Sequence, residues 1–317
     1  MRPIPEWLSR VERKREIYAG DPYYRDAWDD LTAFLGTGSA VPEQLYRVAP
    51  MVLRPDTMAV RGGARLLAAV RSANFVPVAW SKFRFDRHIT REVWRYQLNI
   101  ATRERIDVMD MIMPAGESLY VLLRETEEPG IPATARLSDM KGPSRPEDRG
   151  AHHLRRIAGE AQASVLTYVH IADEPADIIR ELGIFFDRSE RMRLLGALDA
   201  RQDVTQQVLA ALAEVEARTE ASDLLWKFAL ERLDSQVSGL PGDAELAALL
   251  ELVRSGRSKD WQSLLALADR SGLQWSHWDR VAVAAELSTR HLEVEPVIPD
   301  VSRSVWSSGS RSRTEDG

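Results

Sequence analysis

One histidine, two aspartates and an arginine fall where a sheet-borne catalytic site would need them. His170 sits near the end of the apolar run Val165 to Ala172, and imidazole is the side chain that exchanges a proton near neutral pH. Asp107 and Asp110 lie in a second expected strand and Arg95 in a third, so a sheet could bring Arg95, Asp107, Asp110 and His170 into one pocket. Asp173 is followed by Pro175 and reads as the cap of the next helix, not as a catalytic partner. His152-His153 is the other eye-catching pair. Adjacent helical positions point about 100° apart, and no third ligand stands at metal spacing, so no metal site is expected. Gly36 to Ala40 lacks the Gly-Lys-Ser/Thr of a phosphate loop, and the chain contains no Gly-x-Ser-x-Gly, His-Glu-x-x-His or dinucleotide fingerprint. No cofactor is expected.

The most specific local pattern is helical. Leu267-Ala268, Gly272-Leu273, Trp278 and Val281 have the spacing of two short helices around a turn. Ala268 permits close approach, Gly272 makes the bend, and Trp278 and Val281 anchor the second helix. Over about twenty residues near 261–287 the chain resembles helix-turn-helix proteins. The resemblance implies a recognition helix with Gln274, Ser276, His277 and Arg280 near its start, a set suited to base edges. Trp278 is bulkier than the aliphatic residue usual at its position, and Asp269 and Asp279 would repel phosphates.

The elements that must position these groups follow from periodicity. Trp7, Leu8, Val11 and Ile17 form one helical stripe, closed by Gly20 and Pro22. Trp28, Leu31, Phe34 and Leu35 form another, closed by Gly36. Further helices are expected from Pro42 and over 56–72. Over 93–100, Trp94, Tyr96, Leu98 and Ile100 alternate with Arg95, Gln97 and Asn99, which predicts a strand with one buried face. Segments 76–85, 105–113, 118–125 and 165–172 complete a small sheet, and short connections make it mainly antiparallel. Beyond residue 173 every segment reads as helix: 175–182, 188–200, 203–219, 222–237, 243–255, 258–271 and 275–288. Asp187, Asp243 and Ser258 are the expected caps, and 203–237 also reads as one long helix.

Composition narrows the classes. The chain has no cysteine, which removes disulfides, thiol nucleophiles and Cys-ligated metal sites. Its first twenty residues are charged throughout, and no run approaches the roughly 18 apolar residues of a membrane span. The expectation is a cytoplasmic protein with no membrane contact. Lysine appears five times among 42 basic residues, an arginine bias that fits a GC-rich bacterial genome. Charge is uneven. Residues 173–300 hold 24 acidic against 14 basic side chains, a net charge of −10, whereas residues 1–172 hold 25 basic against 22 acidic, a net of +3. An acidic half disfavours broad wrapping by nucleic acid.

The expected architecture is therefore α+β and predominantly helical. Residues 1–172 form a mixed portion with an antiparallel sheet over about 76–126 plus 165–172, residues 173–291 an acidic all-helical portion, and residues 292–317 a Ser/Arg-rich disordered tail. Catalytic motifs are missing, while helix patterning and acidic charge are well defined. The chain accordingly reads first as a non-catalytic bacterial protein–protein interaction or regulatory protein with a protein partner. A DNA-binding regulator using the helix-turn-helix is the second reading, with nucleic acid a disfavoured partner. An enzyme with a site on the sheet is the third.

Overall fold

The structure, a computed structural model, describes residues 3–36, 40–128, 130–160, 162–238, 244–289, 291–301 and 303–307. Two helices open it, α1 (Glu12–Gly20) and α2 (Pro22–Leu35). Asp21 between them accepts from the Tyr24 amide at 3.2 Å and caps α2, with Pro22 in the first turn, where its missing N–H is no loss. A short helix, α3 (Ala40–Tyr46), leads into the sheet.

Four runs form that sheet: β1 (Val48–Leu53), β2 (Phe75–Phe83), β3 (Ser118–Glu125) and β4 (Val169–Ile171). Their order is β2-β3-β1-β4, and every neighbouring pair is antiparallel. Met51 of β1 faces Val121 on one side and Ile171 on the other. Helices α4 (Pro55–Ala59) and α5 (Gly63–Ser72) connect β1 to β2, and α8 (Ala133–Lys141) and α9 (Leu154–Ala158) connect β3 to β4. This is a split β-α-β arrangement, with α6 (Arg87–Val93) and α7 (Arg103–Ile112) inserted between β2 and β3. Every residue of β1, and every residue of β3 except Arg124, is buried. Successive strand residues point to opposite faces, so both faces are covered. Helix α8 lies against β1 and β4, and α5 against β2.

Two expected strands are helical. The segment 93–100 ends α6 and then turns: Gln97 and Leu98 amides both donate to the Trp94 carbonyl, and Leu98–Ile100 form a 3-10 turn. The alternation survives only in part, with Arg95 and Asn99 exposed but Gln97 half-buried like Trp94, Tyr96, Leu98 and Ile100, and it belongs to a wall of turns. The segment 105–113 is α7. The Thr102 hydroxyl caps it by accepting from the Arg105 amide at 3.2 Å, and Val108 and Ile112 bury one face at helical spacing. Conversely β1, whose run VAPMVL shows no alternation, is a central strand because it is buried on both sides.

Beyond β4 the chain is helical: α10 (Pro175–Phe185), α11 (Arg188–Ala200), α12 (Thr205–Arg218), α13 (Trp226–Val237), α14 (Ala244–Arg254), α15 (Trp261–Arg270) and α16 (His277–Leu287). Helices α10 to α12 also pack against the sheet. Glu174, not Asp173, caps α10, in a reciprocal box with Asp177. Every residue of α10 except Gly183 is buried, and a Cβ on Gly183 would collide with the Tyr23 carbonyl oxygen, so glycine sets how closely α10 meets α2. Asp187 caps α11 as expected, but Asp260 takes the role expected of Ser258, and Asp243 lies outside the described residues. Residues 219–225, with Leu224 at φ 55°, separate α12 from α13, so 203–237 is not one helix.

The segment after His291 departs from the expected disorder as far as it is described. Leu292 and Ile298 amides donate to the Ile100 and Tyr96 carbonyls at 2.7 and 3.3 Å. A last helix, α17 (Arg303–Ser307), lies against α8, and Ile298 and Trp306 are buried. Trp306 meets Tyr46 edge-on and carries Arg10 over its ring. The segment is held residue by residue and not by one apolar face, so it has no period to read. Residues 308–317 lie outside the described residues.

Candidate functional site

A polar cleft opens where β4 meets α10. Its walls are the 94–100 turns, the stretch from α8 to α9, and residues 296–301 of the docked C-terminal segment. Two adjoining cavities of about 380 and 230 Å³ make up the cleft and share Trp94, Gln97, Ser144, Arg155, His170 and Asp300.

Ion pairs organise one side of it. Lys14 of α1 is buried between Glu174 (2.9 Å) and Asp177 (2.8 Å), and the Tyr18 hydroxyl donates to Asp177 at 2.8 Å. Burial alone would lower the Lys14 pKa, but the two carboxylates outweigh it and hold the ammonium above the usual lysine range. Arg180 is buried beside Asp21, 2.7 Å from Nε, with its guanidinium over the rings of Tyr18 and Tyr96. Asp173, freed from capping, accepts from Lys141 at 2.7 Å and from the Ser138 hydroxyl. Burial would raise its pKa, but Lys141 and Lys14 hold it well below the carboxylate range. These pairs tie α1, α2, α8 and α10 together.

His170 pairs with Glu181 at 2.7 Å through Nε2 and meets Trp94 edge-on. Of the four sheet candidates it lines the cleft; Arg95, Asp107 and Asp110 do not. Arg95 is exposed and pairs with Glu92 at 3.1 Å one helical turn away, Asp107 pairs with Arg103 at 2.8 Å along α7, and Asp110 pairs with Arg91 of α6 at 2.6 Å. They do not converge on His170 because their segments are helices and turns outside the sheet. Among the described residues, no three His, Cys, Asp or Glu side chains are grouped to hold a metal ion. His152 and His153 lie with their rings tilted against each other, and His153 Nδ1 accepts from the Gly150 amide.

Helices α15 and α16 pack against each other across a short turn, with Gly272 at φ 71° in the bend and Ala268, Trp278 and Val281 buried. Three of the four candidate reading side chains are engaged elsewhere, and Gln274 is held through its backbone. Gln274 exchanges backbone bonds with the Gln236 amide, Ser276 caps α16, His277 Nε2 bonds the Met111 carbonyl at 3.1 Å, and Arg280 pairs with Asp269. Gln274 and Ser276 line a 570 Å³ cavity together with Glu220, Asp223 and Asp279, the last two paired there with Arg232.

Sequence reasoning missed Lys14, Lys141, Arg155 and Arg180. Signals existed. Two of only five lysines are the ones facing the cleft, and Arg180 interrupts ADIIRELGIF, a helix too apolar to face water on any side.

No family model matches the chain, and no curated protein matches it. Similar solved structures include nucleoside diphosphate kinase from Encephalitozoon cuniculi (13% identity, TM-score 0.37, covering 44% of this chain and 87% of that one). Nucleoside diphosphate kinase from Aquifex aeolicus is similar at 18% identity and a TM-score of 0.36, covering 44% of this chain and 95% of that one. Likenesses of this size carry no functional argument.

Proposed function

We propose that this chain is a non-catalytic regulatory protein of a bacterial cytoplasm that binds a protein partner through the outer face of α13 and α14. The observation that carries this reading is the pair of large apolar side chains these neighbouring helices turn outward: Phe228 is 46% exposed and Leu252 37%. Around them the helices present Glu231, Glu245 and Glu251 together with Lys227, Arg232 and Arg254 to solvent, within a half of the chain whose net charge is −10. Apolar anchors inside a charged rim of both signs suit a partner with an apolar socket and complementary charges around it. The separate local ion pairs of Arg95, Asp107 and Asp110 favour this reading over catalysis on the sheet.

The test is affinity capture with the wild-type chain and with Phe228→Asp and Leu252→Asp. A protein held by the wild type and lost with both variants, at unchanged melting temperature, supports the proposal. An identical captured set for all three chains overturns it.

A further inference from the structure

Beside the ion-paired side of the cleft stands a cluster of three arginines, of which one is in a direct ion pair. Arg54, where β1 runs into α4, and Arg149, before α9, are 5% and 9% exposed; Arg155 of α9 is half-buried beside them. Arg54 pairs with Asp56 at 3.1 Å and also donates to the Thr167 hydroxyl and the Val165 carbonyl. Arg149 donates to the carbonyls of Pro143, Ser144 and Leu166, and its Nη1 is buried without a hydrogen-bond partner. Arg155 donates from Nη1 to the Gly142 carbonyl at 2.7 Å, and its Nε is likewise buried without a partner. Burial, then repulsion from Arg149 and Arg54, pushes the Arg155 guanidinium below its ordinary range. Of these three guanidiniums Arg54 alone is in a direct ion pair; Asp56 and Glu147 act on Arg149, and Asp173 and Asp300 on Arg155, only at longer range, and two buried N–H groups have no acceptor. A folded chain retains such an arrangement at a loss unless something satisfies it.

The cavity that Arg54 and Arg155 line indicates what meets the Arg155 charge. The 230 Å³ chamber is lined by Arg54, Arg105 and Arg155, against one carboxylate, Asp300. Ser144 and Thr167 add hydroxyls, while Leu98, Ile100, Val165 and Val169 supply an apolar wall. Guanidinium forks match carboxylate and phosphate oxygens in pairs, which gives both attraction and orientation. We infer that this chamber binds a small organic anion, its carboxylate or phosphate group on Arg155 and Arg54 and its apolar body against Leu98, Ile100, Val165 and Val169. The site is on the opposite half of the chain from the exposed face of α13 and α14, and stands whether or not that face binds a protein.

Isothermal titration of the full chain with benzoate, phenyl phosphate, inorganic phosphate and neutral benzamide tests it. Saturable binding of benzoate or phenyl phosphate is expected, weakened at least tenfold by Arg155→Gln, with Arg155→Lys intermediate. Which of the two binds better identifies the headgroup. Arg155→Gln also removes a repelling charge, so the unliganded variant is expected to melt no lower than the wild type. If it does not fold, Leu98→Glu, which places a carboxylate in the chamber wall, is expected to abolish binding instead. Absence of saturable anion binding overturns the inference, as does equal binding by wild type and variant, benzamide binding as tightly as benzoate, or inorganic phosphate binding as tightly as phenyl phosphate.

Discussion

The Lys14 ammonium lies 2.8 Å from the Asp177 carboxylate, joining two helices whose residues are 163 positions apart. Both groups are buried, and Glu174 completes the pair from the cap of α10. Lys14→Met would leave two carboxylates facing each other in the interior. Loss of one partner from a buried pair costs about 3–5 kcal/mol, and denaturant unfolding is expected to show a loss of that order. The same measurement on exposed Arg13→Met, which breaks a surface pair with Glu16, is expected to show a change within about 1 kcal/mol.

Trp306 is expected to hold the C-terminal segment in place. It is 3% exposed, and Trp→Ala at a buried site costs about 3–5 kcal/mol. Trp306→Ala should lower stability measurably and make the residues after His291 accessible to limited proteolysis. Proteolysis of the wild type is expected to spare residues 291–307.

Stability is expected to fall on mild acidification. His153, His277 and His291 all have pKa values lowered chiefly by burial. A base whose folded pKa lies below its unfolded value contributes stability that is present above the unfolded value, about 6.5. That contribution is lost as pH falls through the folded value, because the unfolded state binds the proton first. Melting temperature should therefore drop between pH 7.5 and pH 5, and His277→Gln should shrink the drop. His277 bonds the Met111 carbonyl at the end of α7, so hydrogen exchange at the α7–α16 contact should rise over the same range.

DNA binding at physiological salt is expected to be negligible. Arg280, the cation that would approach phosphate or base, is committed to Asp269. Residues 257–280 carry four basic against three acidic side chains, too little for the multiple phosphate contacts that stable binding needs. Gel-shift titration with genomic fragments checks this. Any complex seen at low salt should dissolve with modest added salt and should be unchanged by Gln274→Ala.

What the sequence determined by itself is the helical C-terminal half and the sheet strands other than β1. Helices there announce themselves by local chemistry: Asp187 caps α11, Ser276 caps α16, and each carries its own apolar spacing. β2 and β3 were legible because turn residues bracket them. The tertiary structure decided the rest. RERIDVMDMI satisfies a period of two and a period of 3.6 at once, and the Thr102 cap together with the partners of Val108 and Ile112 selects the helix. VAPMVL could become the central strand because helices arrive on both of its faces, a circumstance no local pattern records. His170 was visible as a lone imidazole, but the cleft around it draws Lys14, Lys141, Arg155 and Arg180 from four helices. Each of those charges looks like ordinary surface polarity in the chain. It becomes part of a site only because long-range packing removes it from water and leaves ion pairs, or an incoming anion, as its means of compensation.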